Sequence, residues 1–473
     1  MMQPRPYQLE AIESLRANIR RGVKRQLLVM PTGTGKTLTA STMIKSAVDK
    51  GKRVLFVAHR LELIDQSVRT LQSIGLDVGV IRGSDRRRKR AAPVQVASVA
   101  TLVRRIRPDA DLVFIDEAHR ALAKSYVEGV LEAYPNAVHI GLTATPCRSD
   151  GKPLGTHYSA LVQAITYERA IAEGYLAAPI VYSTPAPPDL SDVHTTGGDY
   201  NAGELAEAMT KGALMGNIVE HWRKHAAGRR TVVFAAGVEH STGIVQRFVA
   251  AGVRAEHLDG NTPEELRRAI LGRLETGETQ VVSNVGVLCE GWDMPACKCL
   301  VLARPTKSLS LYMQMGGRIF RPWNDVSPIV LDHASNVTKH GLPHIDRTWS
   351  LDEKIKAGSS DTPTKECPNC FARIAASART CPHCDVEQTP DERDDGDGQK
   401  KLVEEDGELV EIKPPTEAER EAWIAHHVAI AIRRGYQPGW VGRRYEEHFH
   451  VRMSNQRFHR VKESVAKREG AAA

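Results

Sequence analysis

No stretch of the 473-residue chain is apolar for long enough to cross a lipid bilayer, which takes about 20 residues. The N-terminal sequence, MMQPRPYQLE, also lacks the apolar core of a secretory signal. We therefore expect a soluble protein with no membrane partner, located in the cytoplasm and associated with the nucleoid if bacterial. In such a compartment, eight cysteines are not expected to form disulfides.

The chain is too long for one hydrophobic core, so two or three domains are expected. Hydrophobic residues make up 41% of the chain and charged residues 26%, which is ordinary for a soluble globular protein. The net charge of +7 and the pI of about 8.9 are compatible with a polyanionic partner but do not identify one.

A glycine-rich segment, MPTGTGKT at Met30–Thr37, follows the apolar run Gln26–Val29. A strand that turns at glycines and continues as a helix directs backbone N–H groups into a concavity that binds phosphate. There Lys36 can reach the β- and γ-phosphates of ATP, and the Thr37 hydroxyl can ligate Mg²⁺. The full Walker pattern has glycine in place of Met30, so a chance glycine-rich turn is the alternative. The candidate nucleotide-binding residues are Thr32, Gly33, Thr34, Gly35, Lys36 and Thr37.

Two polar residues lie about one helix upstream of this segment. Arg5 and Gln8 stand at the start of a helix-like run that extends from Leu9 to Ile19. In an ATPase of this layout they could bind the adenine edge by hydrogen bonds. An N-capping turn is the alternative.

Adjacent carboxylates follow the short β-rich run Leu112–Ile115 in the sequence DEAH. Because strands alternate with helical segments, we predict a doubly wound parallel sheet whose site lies at the carboxyl ends of its strands. There Asp116 can hold Mg²⁺, directly or through water, and Glu117 can orient and deprotonate the attacking water. An acidic helix N-cap explains neither the preceding strand nor His119, which we group with the catalytic residues.

Hydroxyl and guanidinium groups follow other predicted strands of this half. At the carboxyl side of a sheet they can hold a phosphodiester backbone. These candidate nucleic-acid-binding residues are Arg60, Ser98, Thr101, Thr143 and Thr145. A run of five basic residues, Arg86–Arg90, lies between Arg60 and Ser98 in the sequence. This run either contacts phosphate or is a solvated loop.

The segments MPTGTGKT, DEAH and TATP, in this order, resemble the first RecA-like domain of superfamily 2 helicases. After a segment rich in Pro, Gly, Ser and Asp at 183–203, strand-like runs begin again and predict a second α/β domain. Its segments FAAGVEHS and HLDGNTPEELR resemble the nucleic-acid-facing motifs of that domain. NVGVLCEGWDMP resembles the motif that links nucleotide to nucleic acid, with Gly291 and Asp293 at the matching positions. QMGGRIFR fits the pattern Q-x-x-G-R-x-x-R, with Gln314, Arg318 and Arg321 as its polar residues.

This last pattern predicts a helix with both arginines on one face, because residues three apart are neighbours on a helix surface. Across a cleft, such guanidiniums can neutralise the charge that develops on the γ-phosphate. The alternative is a basic surface helix. Gln314, Arg318 and Arg321 therefore join the candidate catalytic residues.

The chain resembles RadD-like helicases and the neighbouring XPB and type III restriction Res-subunit group. The segments that carry this similarity are ARPTKSLSLYMQMGGRIFRP and LDHASN. The resemblance covers about Arg5–Cys384 and implies an ATP-dependent helicase or translocase on single-stranded or forked DNA, in repair, recombination or replication. An RNA helicase remains open, as does a clamp or remodelling ATPase that does not unwind, including the motor subunit of a restriction or defence system. No nuclease motif is visible.

Two C-x-x-C knuckles, CPNC and CPHC, are separated by ten residues. Each can place two thiolates on one tetrahedral ion, so together they predict a structural Zn²⁺ site, with disulfide pairing as the alternative. The ligands are Cys367, Cys370, Cys381 and Cys384. We expect the four other cysteines, Cys147, Cys289, Cys297 and Cys299, to lie in the core.

The predicted domains are a RecA-like ATP-binding domain at 1–180, a linker at 181–212 and a second RecA-like domain at 213–350. A zinc ribbon at 362–388, an acidic flexible linker at 389–415 and a basic helical accessory domain at 416–473 follow. From Arg433 to Glu469 there are ten Lys or Arg against four Asp or Glu, interleaved with aromatic residues. That composition suits either a nucleic-acid-binding surface or the core of a small helical domain.

Overall fold

The structure is a computed structural model that describes residues 3–120, 126–147, 153–184, 188–211, 218–351, 364–366, 373–375, 410–412, 415–434, 438–449, 451, 453 and 461. The chain divides into two compact units. The first contains residues 1–344, 349–355 and 407–412, and the second contains the rest of the C-terminal region.

The first half forms a seven-stranded parallel sheet with the strand order β3-β4-β2-β5-β6-β1-β7. Strands such as VLFVA are buried throughout, as expected of a parallel sheet covered on both faces. The strands are β1 (Arg25–Val29), β2 (Val54–Ala58), β3 (Val78–Ile81), β4 (Val94–Ser98), β5 (Leu112–Ile115), β6 (Val138–Thr143) and β7 (Ala160–Gln163). The helices are α1 (Pro6–Arg20), α2 (Lys36–Val48), α3 (Leu61–Ser73), α4 (Val99–Leu102) and α5 (Tyr167–Ala172). A 3₁₀ turn at Ala118–Arg120 and a π-helical turn at Val127–Leu131 lie between β5 and β6.

The second half forms another seven-stranded sheet, in which only the last strand is antiparallel to its neighbour. Its order is β12-β13-β11-β14-β15-β8-β18. The strands are β8 (Ile180–Ser183), β11 (Thr231–Ala235), β12 (Ala255–Leu258), β13 (Val281–Asn284), β14 (Cys299–Ala303), β15 (Ile329–Asp332) and β18 (Val410–Ile412). The helices are α6 (Ala202–Lys211), α7 (Ile218–Ala226), α8 (Val238–Ala250), α9 (Glu264–Thr276), α10 (Leu309–Gly316) and α11 (Asn336–His340).

These two sheets confirm the predicted fold class of tandem parallel α/β domains. The predicted linker at 181–212 differs from what the structure shows there. It contains most of β8, a hairpin of β9 (Thr195–Thr196) and β10 (Asp199–Tyr200), and α6. Asp199 fixes this hairpin to the second domain, because its carboxylate accepts hydrogen bonds from the Thr306 hydroxyl and the Lys307 N–H, both at 2.7 Å. We therefore propose that the second domain begins at β8.

The described parts of the second unit are a short antiparallel pair and two helices. The pair joins β16 (Thr364–Glu366) to β17 (Arg373–Ala375), and the helices are α12 (Glu417–Arg434) and α13 (Pro438–Phe449). Trp423, Tyr445 and Phe449 are buried in one cluster between the helices, so these three aromatics form a small core. The nucleic-acid-binding surface of this region stays a prediction.

Four of the eight cysteines lie within the described residues, and the other four lie outside them. Cys147, Cys289, Cys297 and Cys299 are buried in the core, as predicted. Cys367, Cys370, Cys381 and Cys384 lie outside the described residues, within which no cluster of His, Cys, Asp or Glu is arranged to hold a metal ion. Over the same described ranges, no helix has the length and apolar character needed to cross a membrane.

Candidate active site

The glycine-rich segment is a turn between β1 and α2, as the sequence predicts. Gly33 and Gly35 have φ values of 93° and 87°, in the left-handed region that glycine adopts without strain. A Cβ atom on Gly35 would lie 2.5 Å from the Gln8 side-chain nitrogen, so no other residue fits there. The turn therefore presents backbone N–H groups at the N-terminus of α2, the arrangement that binds phosphate.

The start of α1 supports this turn from behind. The Tyr7 hydroxyl donates to the Thr34 carbonyl oxygen at 2.5 Å, and the Gln8 amide donates to the same oxygen at 2.9 Å. The Gln8 side-chain oxygen Oε1 accepts from the Arg5 backbone N–H, and the Arg5 guanidinium lies over the Tyr175 ring. Gln8 thus occupies the capping turn left open as the alternative to adenine contact. Tyr7 carries no sequence signal beyond its position beside Gln8.

Asp116 and Glu117 follow β5 and are both buried. Glu117 has a φ of 48°, which is rare for a residue with a side chain and is concentrated at functional sites. Burial, and then the charge of Glu117, raises the pKa of Asp116 to about 7. Burial lowers the pKa of Lys36, whereas the carboxylates of Glu117 and Asp116 oppose that shift. The amine and both acids therefore share one desolvated site.

A hydrogen-bond network joins this site to the second domain through His119. Its Nδ1 lies 3.0 Å from the Thr143 hydroxyl, and its Nε2 lies 3.1 Å from the Ser310 hydroxyl on α10. Ser310 in turn contacts the Thr145 hydroxyl at 2.8 Å. Thr143 and Thr145 are fully buried in this structure, and their contact with nucleic acid stays a prediction. No sequence feature pointed to Ser310.

Gln314 extends the same network toward the catalytic carboxylate. Its amide nitrogen lies 3.5 Å from the Glu117 carboxylate and 3.4 Å from the Nε2 atom of His119. These are long, weak contacts for hydrogen bonds. Gln314 and His119 are thus placed to orient Glu117.

Arg318 and Arg321 lie against the glycine-rich turn of the other domain. The Arg318 guanidinium donates to the Trp292 carbonyl oxygen at 2.7 Å, and Arg321 forms an ion pair with Asp293 at 2.5 Å. A Cβ on Gly33 would lie 3.6 Å from the Cγ atom of Arg321. Both guanidinium charges therefore act on the Lys36 amine and lower its pKa, secondary to burial.

The expectation that one helix presents both arginines is wrong. Helix α10 ends at Gly316, and Gly317 follows, so the arginines leave from a turn instead. A Cβ on Gly317 would lie 2.5 Å from the Cβ atom of Thr32, so the close approach of the two segments requires glycine. Helix termination at this glycine pair brings the arginines onto the phosphate-binding turn.

The donor set fits a nucleoside triphosphate with Mg²⁺. Lys36, Arg318 and Arg321 supply positive charge around the turn, and the buried Nε atom of Arg318 has no hydrogen-bond partner within the described residues. Thr37 and Asp116 offer the hard oxygen ligands that Mg²⁺ prefers.

A second contact between the domains involves Arg60. The buried carboxylate of Glu290 lies 2.8 Å from the His59 Nε2 and 2.8 Å from the Arg60 Nε. Beside it, Gly291 has a φ of 73° and packs against Glu62. Arg60 thus forms an ion pair between the domains in this structure, and its contact with nucleic acid stays a prediction. Glu290 lies inside a recognised motif, but the sequence did not single it out.

Ser98 and Thr101, also predicted to bind nucleic acid, bond to each other. The Ser98 hydroxyl caps α4 by accepting from the Thr101 N–H at 3.3 Å and donates to the Thr101 hydroxyl at 2.9 Å. The Thr101 hydroxyl also accepts from the Gly83 N–H. Their hydroxyls therefore stabilise the local turn in this structure.

Comparisons with known proteins agree with this geometry. Residues 1–148 match the family described as type III restriction enzyme, res subunit, and residues 211–322 match the helicase conserved C-terminal domain. A 51.5 kDa protein of a Lactococcus phage (isolate 7-9) is 30% identical over 81% of this chain and 82% of its own length. The Saccharomyces cerevisiae protein IRC3, named as an ATP-dependent helicase, is 31% identical over 67% of this chain but only 49% of its own length.

Among solved structures, the ATP-dependent type ISP restriction-modification enzyme LlaBIII bound to DNA has the same fold over 70% of this chain and 27% of that one. Its TM-score is 0.54 and its sequence identity is 18%. The matched family segments contain most strands of both α/β domains and the site residues from Thr32 to Arg321. The chain therefore belongs to the superfamily 2 helicases of the restriction Res-subunit group and is an ATP hydrolase.

Proposed function

We propose that this protein is an ATP-dependent DNA helicase or translocase that acts in DNA repair, recombination or replication. One observation carries the proposal. Arg318 and Arg321 of the second domain lie against the glycine-rich turn of the first, so each domain supplies half of the site. DNA is preferred to RNA because restriction enzymes are among the relatives and one of them is described as bound to DNA.

The residues divide the chemistry between the domains. The turn from Thr32 to Thr37 would cradle the phosphates, and Thr37 and Asp116 would hold Mg²⁺, which would supply charge neutralisation. Glu117 orients the attacking water and accepts its proton. Arg318 and Arg321 neutralise the charge that develops on the γ-phosphate. His119 and Gln314 are positioning residues, which act through Glu117.

Because both halves are needed for turnover, ATP binding favours the closed arrangement and hydrolysis releases it. Each domain holds the nucleic-acid backbone on a face next to the cleft. Repeated closure then shifts the nucleic-acid-binding face of one domain relative to that of the other, and the protein steps along one strand.

The test compares ATP turnover with single-stranded DNA, forked DNA, duplex DNA and RNA under the same conditions. We expect the largest stimulation with single-stranded or forked DNA. Larger stimulation by RNA would instead identify an RNA helicase. Triplex displacement without strand displacement would identify a translocase or remodeller that does not unwind, and no stimulation by any nucleic acid would contradict the proposal.

A motor subunit of a restriction or defence system is the second candidate. The match of residues 1–148 to a restriction subunit supports it. Affinity purification of the tagged chain from its native host tests this candidate, since a restriction motor should retain a nuclease partner. Absence of any nuclease from the recovered complex would count against it.

We also propose that Cys367, Cys370, Cys381 and Cys384 bind one structural Zn²⁺. The spacing of the two knuckles supports this site, and so does the antiparallel pair of β16 and β17, which flank the first knuckle in the sequence. We expect about one zinc per chain in the purified protein, and none in a Cys367→Ala/Cys381→Ala variant. Elemental analysis measures this, with Cys147→Ala as the control that should retain zinc. A zinc-free wild type with disulfides detected by mass spectrometry would overturn the assignment.

A further inference from the structure

In the structure, some of the basic residues after β3 form ion pairs with carboxylates and others do not. Arg87 contacts the carboxylates of Asp65 and Asp85, both at 2.6 Å, and Lys89 contacts Asp77 at 2.7 Å. Arg82 contacts the same Asp65 and Asp85 at 2.9 Å. The charges of these three cations and three carboxylates cancel, so this part of the run is an ion-pair network that stabilises the local structure.

Three arginines of the run remain outside that network. Arg86, Arg88 and Arg90 are exposed, and in the described part of the chain their guanidiniums make no hydrogen bond or ion pair. We call them the arginine stripe. From the neighbouring loop, the Arg105 guanidinium reaches the Gly83 carbonyl oxygen at 2.5 Å, which adds a further cation with no carboxylate partner. The surface at this edge is therefore strongly positive.

The fold does not need this charge to protect an open sheet edge. Although β3 is the edge strand of the first sheet, the Val80 N–H already donates to the Arg87 carbonyl oxygen at 3.1 Å. The Gln95 amide holds the same segment through the carbonyl oxygens of Lys89 and Ala92. Because the edge is covered by backbone, three uncompensated guanidiniums are not explained by edge protection.

We propose that the arginine stripe binds the phosphate backbone of duplex DNA, away from the phosphate-binding turn. This inference rests on the proposed function, because it assumes that the substrate is DNA. Guanidinium groups suit phosphate through charge and paired N–H donors. The sequences RGSDRRRKR and RRIR that form this surface contain no aromatic residue, whereas single-strand-binding surfaces use aromatic stacking. A duplex, which offers phosphates and no exposed base faces, is the better fit.

The position of the stripe allows it to act separately from ATP turnover. In the strand order, β3 is five steps from β1, which carries the phosphate-binding turn. At the usual spacing of strands this is about 24 Å. The stripe can therefore hold a duplex region while the cleft acts on a single strand.

The test measures binding of a blunt duplex and of a single strand across a salt series for Arg86→Ala/Arg88→Ala/Arg90→Ala. Losing three phosphate contacts should make the negative slope of log K against log salt shallower by about 2.7 on the duplex. Duplex binding itself should weaken by about tenfold or more. Single-strand binding should keep its wild-type slope. The triple lysine variant at the same positions should retain most of the duplex slope, because point charges still neutralise phosphates.

The matched control removes three exposed cations at the opposite end of the strands, as Arg21→Ala/Lys24→Ala/Lys50→Ala, and should change neither slope. Thermal unfolding checks that the stripe variant remains folded. An unchanged duplex slope would overturn the inference, and so would equal losses on duplex and single strand. If wild-type ATP turnover responds to DNA but the stripe variant binds normally, only this inference fails. If wild-type turnover ignores DNA altogether, the proposed function fails with it.

Discussion

Arg321→Ala is expected to lower ATP turnover at saturating ATP and DNA by about 10³–10⁵-fold, the range for removing an arginine from related phosphoryl-transfer sites. The guanidinium lies beside Gly33 although it belongs to the other domain. Its loss should therefore remove stabilisation of the transition state more than it removes ground-state binding of ATP. Steady-state ATPase kinetics measure the first quantity, and titration with a fluorescent ATP analogue measures the second.

Two matched variants separate charge from geometry. Arg321→Lys keeps the charge but not the planar fork, so its turnover should fall between the wild type and the alanine variant. Arg273→Ala removes an arginine of the same domain that pairs with Glu256 on β12, and it should turn over ATP normally. If Arg321→Ala stays within about threefold of the wild type, the charge it supplies is not part of the transition state, and the shared-site account of the motor is wrong.

Glu117→Gln should lower turnover by about 10²–10⁴-fold, the usual contribution of a general base, while ATP still binds. The amide keeps the shape of the side chain but cannot accept the proton from water. Because hydrolysis no longer releases the cleft, the variant should accumulate in the closed, ATP-bound arrangement. Fluorescence transfer between labels on the two domains, recorded with and without ATP, measures that closure.

Lys36→Ala provides the contrast, since it should lose both ATP binding and turnover. Glu13→Gln, on the exposed face of α1, controls for the loss of one carboxylate and should behave as the wild type. Full turnover by purified Glu117→Gln would show that another group accepts the proton, and the role given to Glu117 would be withdrawn.

The sequence is sufficient to predict the parts of the site that depend on local chain geometry. The turn at Gly33 and Gly35 and the acids after β5 lie where strand-to-loop patterns place them, because each is fixed by residues close in the chain. The pair Gly316–Gly317 was also a readable helix stop. The spacing of the two arginines, by itself, predicts a helix that continues past this stop.

Contacts between the domains could not be predicted in the same way. Glu290 meets His59 across 231 residues of chain, and Ser310 meets His119 across 191. Such pairs depend on how two independently formed sheets dock, and no local period or spacing encodes that. The burial of Thr143 and Thr145 is unpredictable for the same reason, because a position after a strand indicates an exposed loop, whereas α10 of the other domain covers this one.

The Glu290 contact has a consequence for the resting state of the motor. A buried carboxylate that loses its ion-pair partner costs about 3–5 kcal/mol unless water replaces that partner. When the domains separate, His59 and Arg60 depart together, so solvent must enter between them as fast as the interface parts. Opening therefore requires hydration of the Glu290 carboxylate. That hydration helps to set the separation of the two domains between steps.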